Sequence, residues 1–443
     1  MWVPAFAGMT KSGDGYDNGL IMLILYEFLL IIYVIIYFPI LLLKGKWHGW
    51  FQQRFGFFTD VLKERLHHPR NIWVHAVSVG EVIAIAEFIR QLRIKLPEYQ
   101  IVLSTTTKTG HELALKRLKD YATVLWAPLD FQLTTAAFIR FIQPKTYIVA
   151  ETELWPNLFS LLHKKKIPIL LLNGRISDNS YGRYQKIRWF MKRFLGYVDA
   201  FCMQSDEDAQ RIIHLGAPEG KVRNIGNIKF DDLPGENSFT LENFGFDLAD
   251  ELWIAGSTHP GEEEIILNIF HKICAQHPRL RLVIAPRHID RAADVVKLVE
   301  SKGFFSLYLS QMNSGERNPN AVVVVDTIGH LRSLYSLGTL VFVGKSLTVK
   351  GGHNIIEPAF FSKPVIVGPF MQNFRDIMFV FKKDDAILQV QNAQELESTV
   401  AHLLDHPEKM KTMGQRARAV IDKHRGATAR SVELVSRALN KSL

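Results

Sequence analysis

Apolar residues fall along this chain in two rhythms, and their alternation predicts its architecture. Short unbroken runs at 72–77 (IWVHAV), 100–106 (QIVLSTT), 122–128 (ATVLWAP), 146–151 (TYIVAE), 168–173 (PILLLN) and 200–205 (AFCMQS) read as strands buried on both faces. Between such runs lie stretches with apolar positions at helical spacing, for example EEEIILNIFHKICAQH at 262–277 and ADVVKLVESKG at 293–303. Strand and helix in alternation predict parallel sheets covered by helices. A second set of runs follows: LWIAGS, LRLVIAP, FSLYL, AVVVVD, TLVFVGK and PVIVG. The two sets are parted by FDDLPGENSFTLENFGFD at 230–247, which lacks periodicity and is rich in Asp, Asn, Gly and Pro, as a linker is. The expected organisation is an α/β chain with a doubly wound domain at 44–230, a linker at 231–250 and a second such domain at 251–415. A closing helical stretch at 416–443 should pack across the domains. Open parallel sheets bind ligands at the carboxyl ends of their strands, so a shared cleft is expected there, with a nucleotide in one half and an acceptor in the other.

One run is different. GLIMLILYEFLLIIYVIIYFPILLL at 19–43 is almost wholly apolar, and about 20 such residues suffice to cross a bilayer as a helix. Glu27 and Pro39 weaken a rigid, deeply buried span, while Tyr26, Tyr33 and Tyr37 suit an interface. The run has no basic segment before it and no small-residue cleavage site after it, so an anchor is the better reading than a removed signal. Lys44, Lys46 and Arg54 follow it and Asp14 and Asp17 precede it, which places the bulk of the chain on the cytoplasmic side. Residues 1–18 read as disordered, or as lying before the natural start.

Composition narrows the partners. The chain has 443 residues, enough for two domains, and a formal charge of +9 that points to a polyanion. Its basic residues, including Lys164, Lys165 and Lys166, do not interleave with aromatics along one module, which argues against nucleic acid and for an anionic membrane surface. The two cysteines, Cys202 and Cys274, stand apart in apolar stretches and read as buried free thiols of a reducing compartment. No HExxH or similar spacing suggests a metal.

Several polar residues sit where strands pass into helices. In WVHAVSVGEV, Ser78 and Gly80 suit a tight turn and Glu81 opens a helix, either as a dipole partner or as a base. Ser257 and Thr258 in AGSTHPGEE are either helix caps or hydroxyls that cradle a phosphate, and Glu262, Glu263 and Glu264 serve the helix dipole. Arg287 and His288 follow LRLVIAP, where a guanidinium suits phosphate or carboxylate, with a surface ion pair as the alternative. In GKSLTVKGGHNIIEPA, Gly351 and Gly352 precede a helix with His353 and Asn354 in its first turn, and Glu357 can accept from ribose hydroxyls. Of Glu151 and Glu153, at the end of the strand TYIVA, only one is expected to face the cleft, with Glu151 favoured. Arg175 in NGRIS lies just past another strand, as a ligand of acceptor phosphate or of the donor carboxylate, or as a lone surface arginine.

Taken in order, WVHAVSVGE (73–81), STTTKTG (104–110), ETELWPNL (151–158), NGRIS (173–177), AGSTHPGEE (255–263), APRH (285–288) and GGHNIIEPA (351–359) closely resemble the 3-deoxy-D-manno-octulosonic acid (Kdo) transferases of lipopolysaccharide synthesis. The resemblance implies the GT-B fold, an anchor on the cytoplasmic face of the inner membrane, CMP-Kdo as donor, a lipid A precursor as acceptor, and no metal or other cofactor. It makes Glu81 the general base of an inverting transfer and Ser78, Gly80, Thr106, Glu151 and Arg175 acceptor-side residues. Ionised Glu81 is expected without a large pKa shift. The chain departs from the family pattern at Ile355 and Ile356, at Lys345, where a second glycine is common, and at His330, where an acidic residue is common. Two other readings keep the fold: a GT-B transferase or epimerase using a UDP-sugar, and a membrane-tethered nucleotide or lipopolysaccharide-binding scaffold without catalysis.

Overall fold

The structure is a computed structural model that describes residues 17–43, 50–231, 240–244, 246–314 and 321–440. The chain divides into two units, one made of residues 1–232 and 425–443, the other of 233–424.

The first unit is built on strands β1 (Asn71–Ala76), β2 (Gln100–Thr105), β3 (Thr123–Trp126), β4 (Pro144–Ala150), β5 (Ile169–Gly174), β6 (Ala200–Met203) and β7 (Val222–Asn224). All pair in parallel in the order β3-β2-β1-β4-β5-β6-β7. Alternate residues of one strand enter opposite cores, as a period of two requires. Ile72 and Val74 join Ile85, Phe88 and Leu103 on one face, while Trp73 packs with Tyr147, Phe138 and Phe159 on the other. The last helix, Ala427–Asn440, belongs to this unit: Ala427, Val432, Val435 and Leu439 enter the same core as the Val79–Lys95 helix. Asp231 holds its start, accepting from the Gly426 and Thr428 N–H groups at 2.6 Å each.

The second unit repeats the plan with β8 (Glu251–Thr258), β9 (Leu280–Pro286), β10 (Phe305–Tyr308), β11 (Ala321–Val324), β12 (Leu340–Val343), β13 (Val365–Val367) and β14 (Leu388–Gln389). Their order is β10-β11-β9-β8-β12-β13-β14, again all parallel. The Pro407–His424 helix stays with this unit, where Met410 and Met413 enter its core and the Arg418 guanidinium donates to Phe360 O. Thus 416–443 does not act as one piece: its helices end in different units.

The apolar N-terminal run forms a 27-residue helix, Asp17–Leu43. Its side chains are described at 22–32 and 34–36, and among the described residues no helix is long and apolar enough to cross a membrane. The described part is docked. Met22 and Leu23 are buried in the core that holds Phe58 and Phe138. Glu27 Oε1 accepts from the Gln132 N–H at 3.0 Å, at the start of the Gln132–Ile142 helix. Tyr26 hydrogen-bonds Asp130, a buried carboxylate that also accepts from the Asn157 and Leu158 N–H groups. Ile24, Phe28, Ile31, Ile32, Ile35 and Ile36 are exposed along one side. Arg54 is not a surface cation, since its guanidinium donates to Ala127 O and burial lowers its pKa to about 10. Lys44 and Lys46, and the expectation for residues 1–16, lie outside the described residues. Burial pushes the Cys202 thiol up to about 12, whereas Cys274 is only half-buried.

Candidate functional site

In each sheet the chain builds outward from one central strand and then crosses to its other side, which opens a switch point at the carboxyl ends of β1 and β4 and of β8 and β12. The candidate residues gather at these two places.

In the first unit, Ser78 caps the Val79–Lys95 helix, and its hydroxyl accepts from Glu81 N at 3.4 Å. The Glu81 carboxylate turns back, taking the Ser78 hydroxyl at 2.9 Å and the Val77 N–H at 2.7 Å. This is a capping box shifted one residue outward. Gly80 makes no tight turn: it lies inside the helix, and an added Cβ would find its nearest neighbour 3.9 Å away. Glu81 is buried, 6% exposed, and its pKa rises to about 7. Burial is the main cause, and the charges of Glu151 and Glu153 add to it against the two hydrogen bonds. A carboxyl near 7 is a more effective base at neutral pH than the unshifted one expected from sequence.

Both Glu151 and Glu153 act on Glu81, so the two lie near it together rather than Glu151 alone. β4 ends at Ala150, and Glu151 takes left-handed backbone (φ 54°), which redirects the chain before Glu153. Lys229 faces Glu151 at 3.5 Å. It was not singled out from sequence; Asn173 and Asn227 place it, Asn173 accepting from Ile228 N and Asn227 from Lys229 N. Arg175 lies at the end of β5, its backbone tied at both N–H and C=O to the Thr152 hydroxyl. Thr106 is differently disposed from expectation: its hydroxyl is buried with no hydrogen-bond partner, and neighbouring Thr107 caps the next helix and bonds Val77 O.

In the second unit, Glu262 is the organiser. It is fully buried and accepts four backbone N–H groups, from His259 (2.9 Å), Lys345 (2.8 Å), Ser346 (2.9 Å) and Leu347 (2.9 Å). It therefore joins the loops after β8 and β12 rather than merely complementing a dipole. Glu263 and Glu264 are likewise engaged, with Arg291 and Lys302. Gly344 permits the approach, since a Cβ there would fall 2.5 Å from Ser257 O and 2.7 Å from Glu262 Oε2. Ser257 and Lys345 both hold left-handed backbone, at φ 56° and 57°. Thr258 is wholly buried and cannot offer its hydroxyl to a ligand, leaving Ser257 as the accessible hydroxyl.

Gly351 and Gly352 do form a turn with positive φ, 137° and 76°, but the helix after it starts only at Ile356 and has five residues. His353 and Asn354 thus precede the helix. Glu357 accepts from Arg332 Nε at 3.0 Å and from Asn354 Nδ2 at 3.3 Å. His353 meets His259 at Nε2···Nε2 3.2 Å, and the His288 ring lies 5.9 Å from that of His259. Arg287 and His288 are exposed. Burial first, then Arg287, His259, Lys345 and His288, lowers His353 to about 3. His259 was missed from sequence, where it is one residue between Thr258 and Pro260. Among the described residues no cluster of three or more His, Cys, Asp or Glu can hold a metal ion.

Two Rossmann-like units, each with polar chemistry at its switch point, define the GT-B class, and solved structures of that class match. A glycosyltransferase from Rickettsia africae superposes with a TM-score of 0.54 at 12% identity, covering 84% of this chain and 98% of its own. Residues 50–232 match the family of 3-deoxy-D-manno-octulosonic-acid transferases (kdotransferases). A 3-deoxy-D-manno-octulosonic acid transferase of Haemophilus influenzae is 34% identical over 88% of this chain and 92% of its own. One of Chlamydophila psittaci is 26% identical over 93% and 96%. The chain belongs to the 3-deoxy-D-manno-octulosonic acid transferase family, and it is a glycosyltransferase.

Proposed function

We propose that the enzyme transfers Kdo from CMP-Kdo to a hydroxyl of the lipid A precursor, with inversion and with Glu81 as general base. The observation that carries this reading is the Glu81 carboxylate: buried, near pKa 7, and oriented by Val77 and Ser78 at the switch point of the first sheet. Ionised Glu81 takes the proton of the acceptor hydroxyl as that oxygen attacks the anomeric carbon. Direct attack opposite the departing phosphate inverts the centre. Arg287 and Lys345 supply positive charge for the donor carboxylate and phosphate, with His288 beside them, so the leaving group is held by fixed donors and transfer should proceed without added metal. The exposed apolar side of the Asp17–Leu43 helix supports its insertion at the cytoplasmic face of the inner membrane, where the acceptor resides.

Glu81→Gln tests the base directly, because glutamine keeps a carbonyl for the Val77 N–H and so preserves the cap. Incorporation of labelled Kdo into lipid A precursor should fall by at least ~10²-fold, with CMP affinity unchanged. Near-normal turnover would leave Glu81 with the capping role alone. Binding of UDP in preference to CMP would instead favour a UDP-sugar enzyme.

A further inference from the structure

The contact between His259 and His353 sets a limit on charge in the second unit. Their rings are 5.4 Å apart and inclined by 22°, and the Nε2 atoms face each other at 3.2 Å. Such a contact requires a hydrogen on one Nε2 and a lone pair on the other, so the rings share one hydrogen position. A further proton can be added only at an Nδ1, giving the pair a single positive charge. A second would put hydrogens on both Nε2 atoms and force the rings apart. The pair is therefore either neutral or singly charged, and it titrates as a unit.

Its surroundings decide between the two. Glu262 lies on the loop of His259 but is engaged by four backbone N–H groups, and Arg291 is paired with Glu263. Burial disfavours charge on both rings, and Arg287 from the loop after β9 and Lys345 from the loop after β12 bring positive charge to the pair, with the His288 ring beside them. Burial and then the Arg287 and Lys345 charges favour the neutral form in the empty site. A phosphate and a carboxylate arriving among them reverse the local sign and favour the charged one.

We propose that His259 and His353 form a proton-sharing couple that takes up one proton when an anionic sugar nucleotide fills the site and returns it to the leaving phosphate oxygen. The proposal rests on the reading of CMP-Kdo as donor. As the acceptor oxygen bonds to the anomeric carbon, its own proton passes to Glu81. The bond from that carbon to the phosphate oxygen breaks, and its electron pair stays on the oxygen. The couple's Nδ1 proton then moves to this oxygen, CMP departs as the singly protonated monoester, and the couple is neutral again. The proton taken up on binding is the one given back.

The test is calorimetric titration of CMP into the full chain at pH 8, where the free phosphate monoester is almost wholly dianionic, its second pKa lying near ~6. Two buffers of different ionisation enthalpy report proton uptake as a difference in heat. Wild type should take up close to one proton per CMP, and H259N or H353N only a small fraction of that. Both variants should lose ~10²-fold in turnover with donor KM changed only a few-fold, and CMP affinity should lose its pH dependence. Histidine ¹⁵N shifts of the wild-type protein with and without CMP read the same charge without any substitution. Equal uptake in wild type and variants, or unchanged ring shifts, overturns the couple. If wild type binds no CMP at all, the donor assignment falls first and the couple with it.

Discussion

The two units place their chemistry at the same point of the same kind of sheet but surround it with opposite charge. In the first, burial lifts the Glu81 carboxyl to about 7, and the nearby Glu151 and Glu153 add to the rise. In the second, burial and then Arg287, His259, Lys345 and His288 drive the His353 imidazole down to about 3. Desolvation disfavours the charged form in both, and like-charged neighbours push in the same direction. One fold thus prepares a group to accept a proton in one half and keeps a cationic, proton-poor cluster in the other. The contrast lies in loops, while the strands beneath are interchangeable in kind.

The most severe way to break this contrast is to remove its organiser in the second unit. Glu262→Ala would leave four inward N–H groups without their acceptor, and a loss of roughly 3 kcal/mol or more is expected in urea unfolding. Next is Arg287→Ala. It should weaken CMP binding about tenfold, the equivalent of about 1.4 kcal/mol, with Kdo transfer at saturating donor less affected. Unchanged CMP affinity would remove Arg287 from the donor site.

The first unit is probed by pH. Glu81 has a folded pKa of about 7 against 4.5 ordinarily, so its contribution to stability is full below 4.5 and is lost as pH rises through 7. Glu81→Gln removes that dependence. The difference in melting temperature between variant and wild type should accordingly move in favour of the variant from pH 4.5 to pH 8. The smallest effect is expected for Glu151→Gln: with one negative neighbour fewer, Glu81 ionises more easily, and the rising limb of the pH–rate profile should move toward acid by less than about one unit.

The buried strands were legible because both faces of a parallel sheet demand apolar side chains, and twelve such runs stand out in the sequence. β7 and β14 were not, since Val222–Asn224 and Leu388–Gln389 are two or three residues long, edge-placed and without fully buried positions. Ser78 and Glu81 have the spacing of a capping box, so their partnership is local and visible. Glu262 is the opposite case. Its partners at 345–347 lie over eighty residues away, and nothing in GEEE distinguishes it from two neighbours that pair with surface cations. The placing of Glu151 and Glu153 was not legible, because β4 ends at Ala150 and Glu151 takes left-handed backbone, a choice fixed by tertiary surroundings. The His259–His353 contact likewise joins positions 94 residues apart.

The docked N-terminal helix carries a warning for any attempt to make the protein more tractable by trimming it. Glu27 satisfies the opening amide of one helix, Tyr26 bonds the carboxylate that caps another, and Met22 and Leu23 fill a core. A chain cut at Trp50 would forfeit all four contacts and uncover apolar surface around Phe58 and Phe138. Substituting the outward Ile24, Ile31, Ile32, Ile35 and Ile36 while sparing the inward residues leaves those four contacts in place.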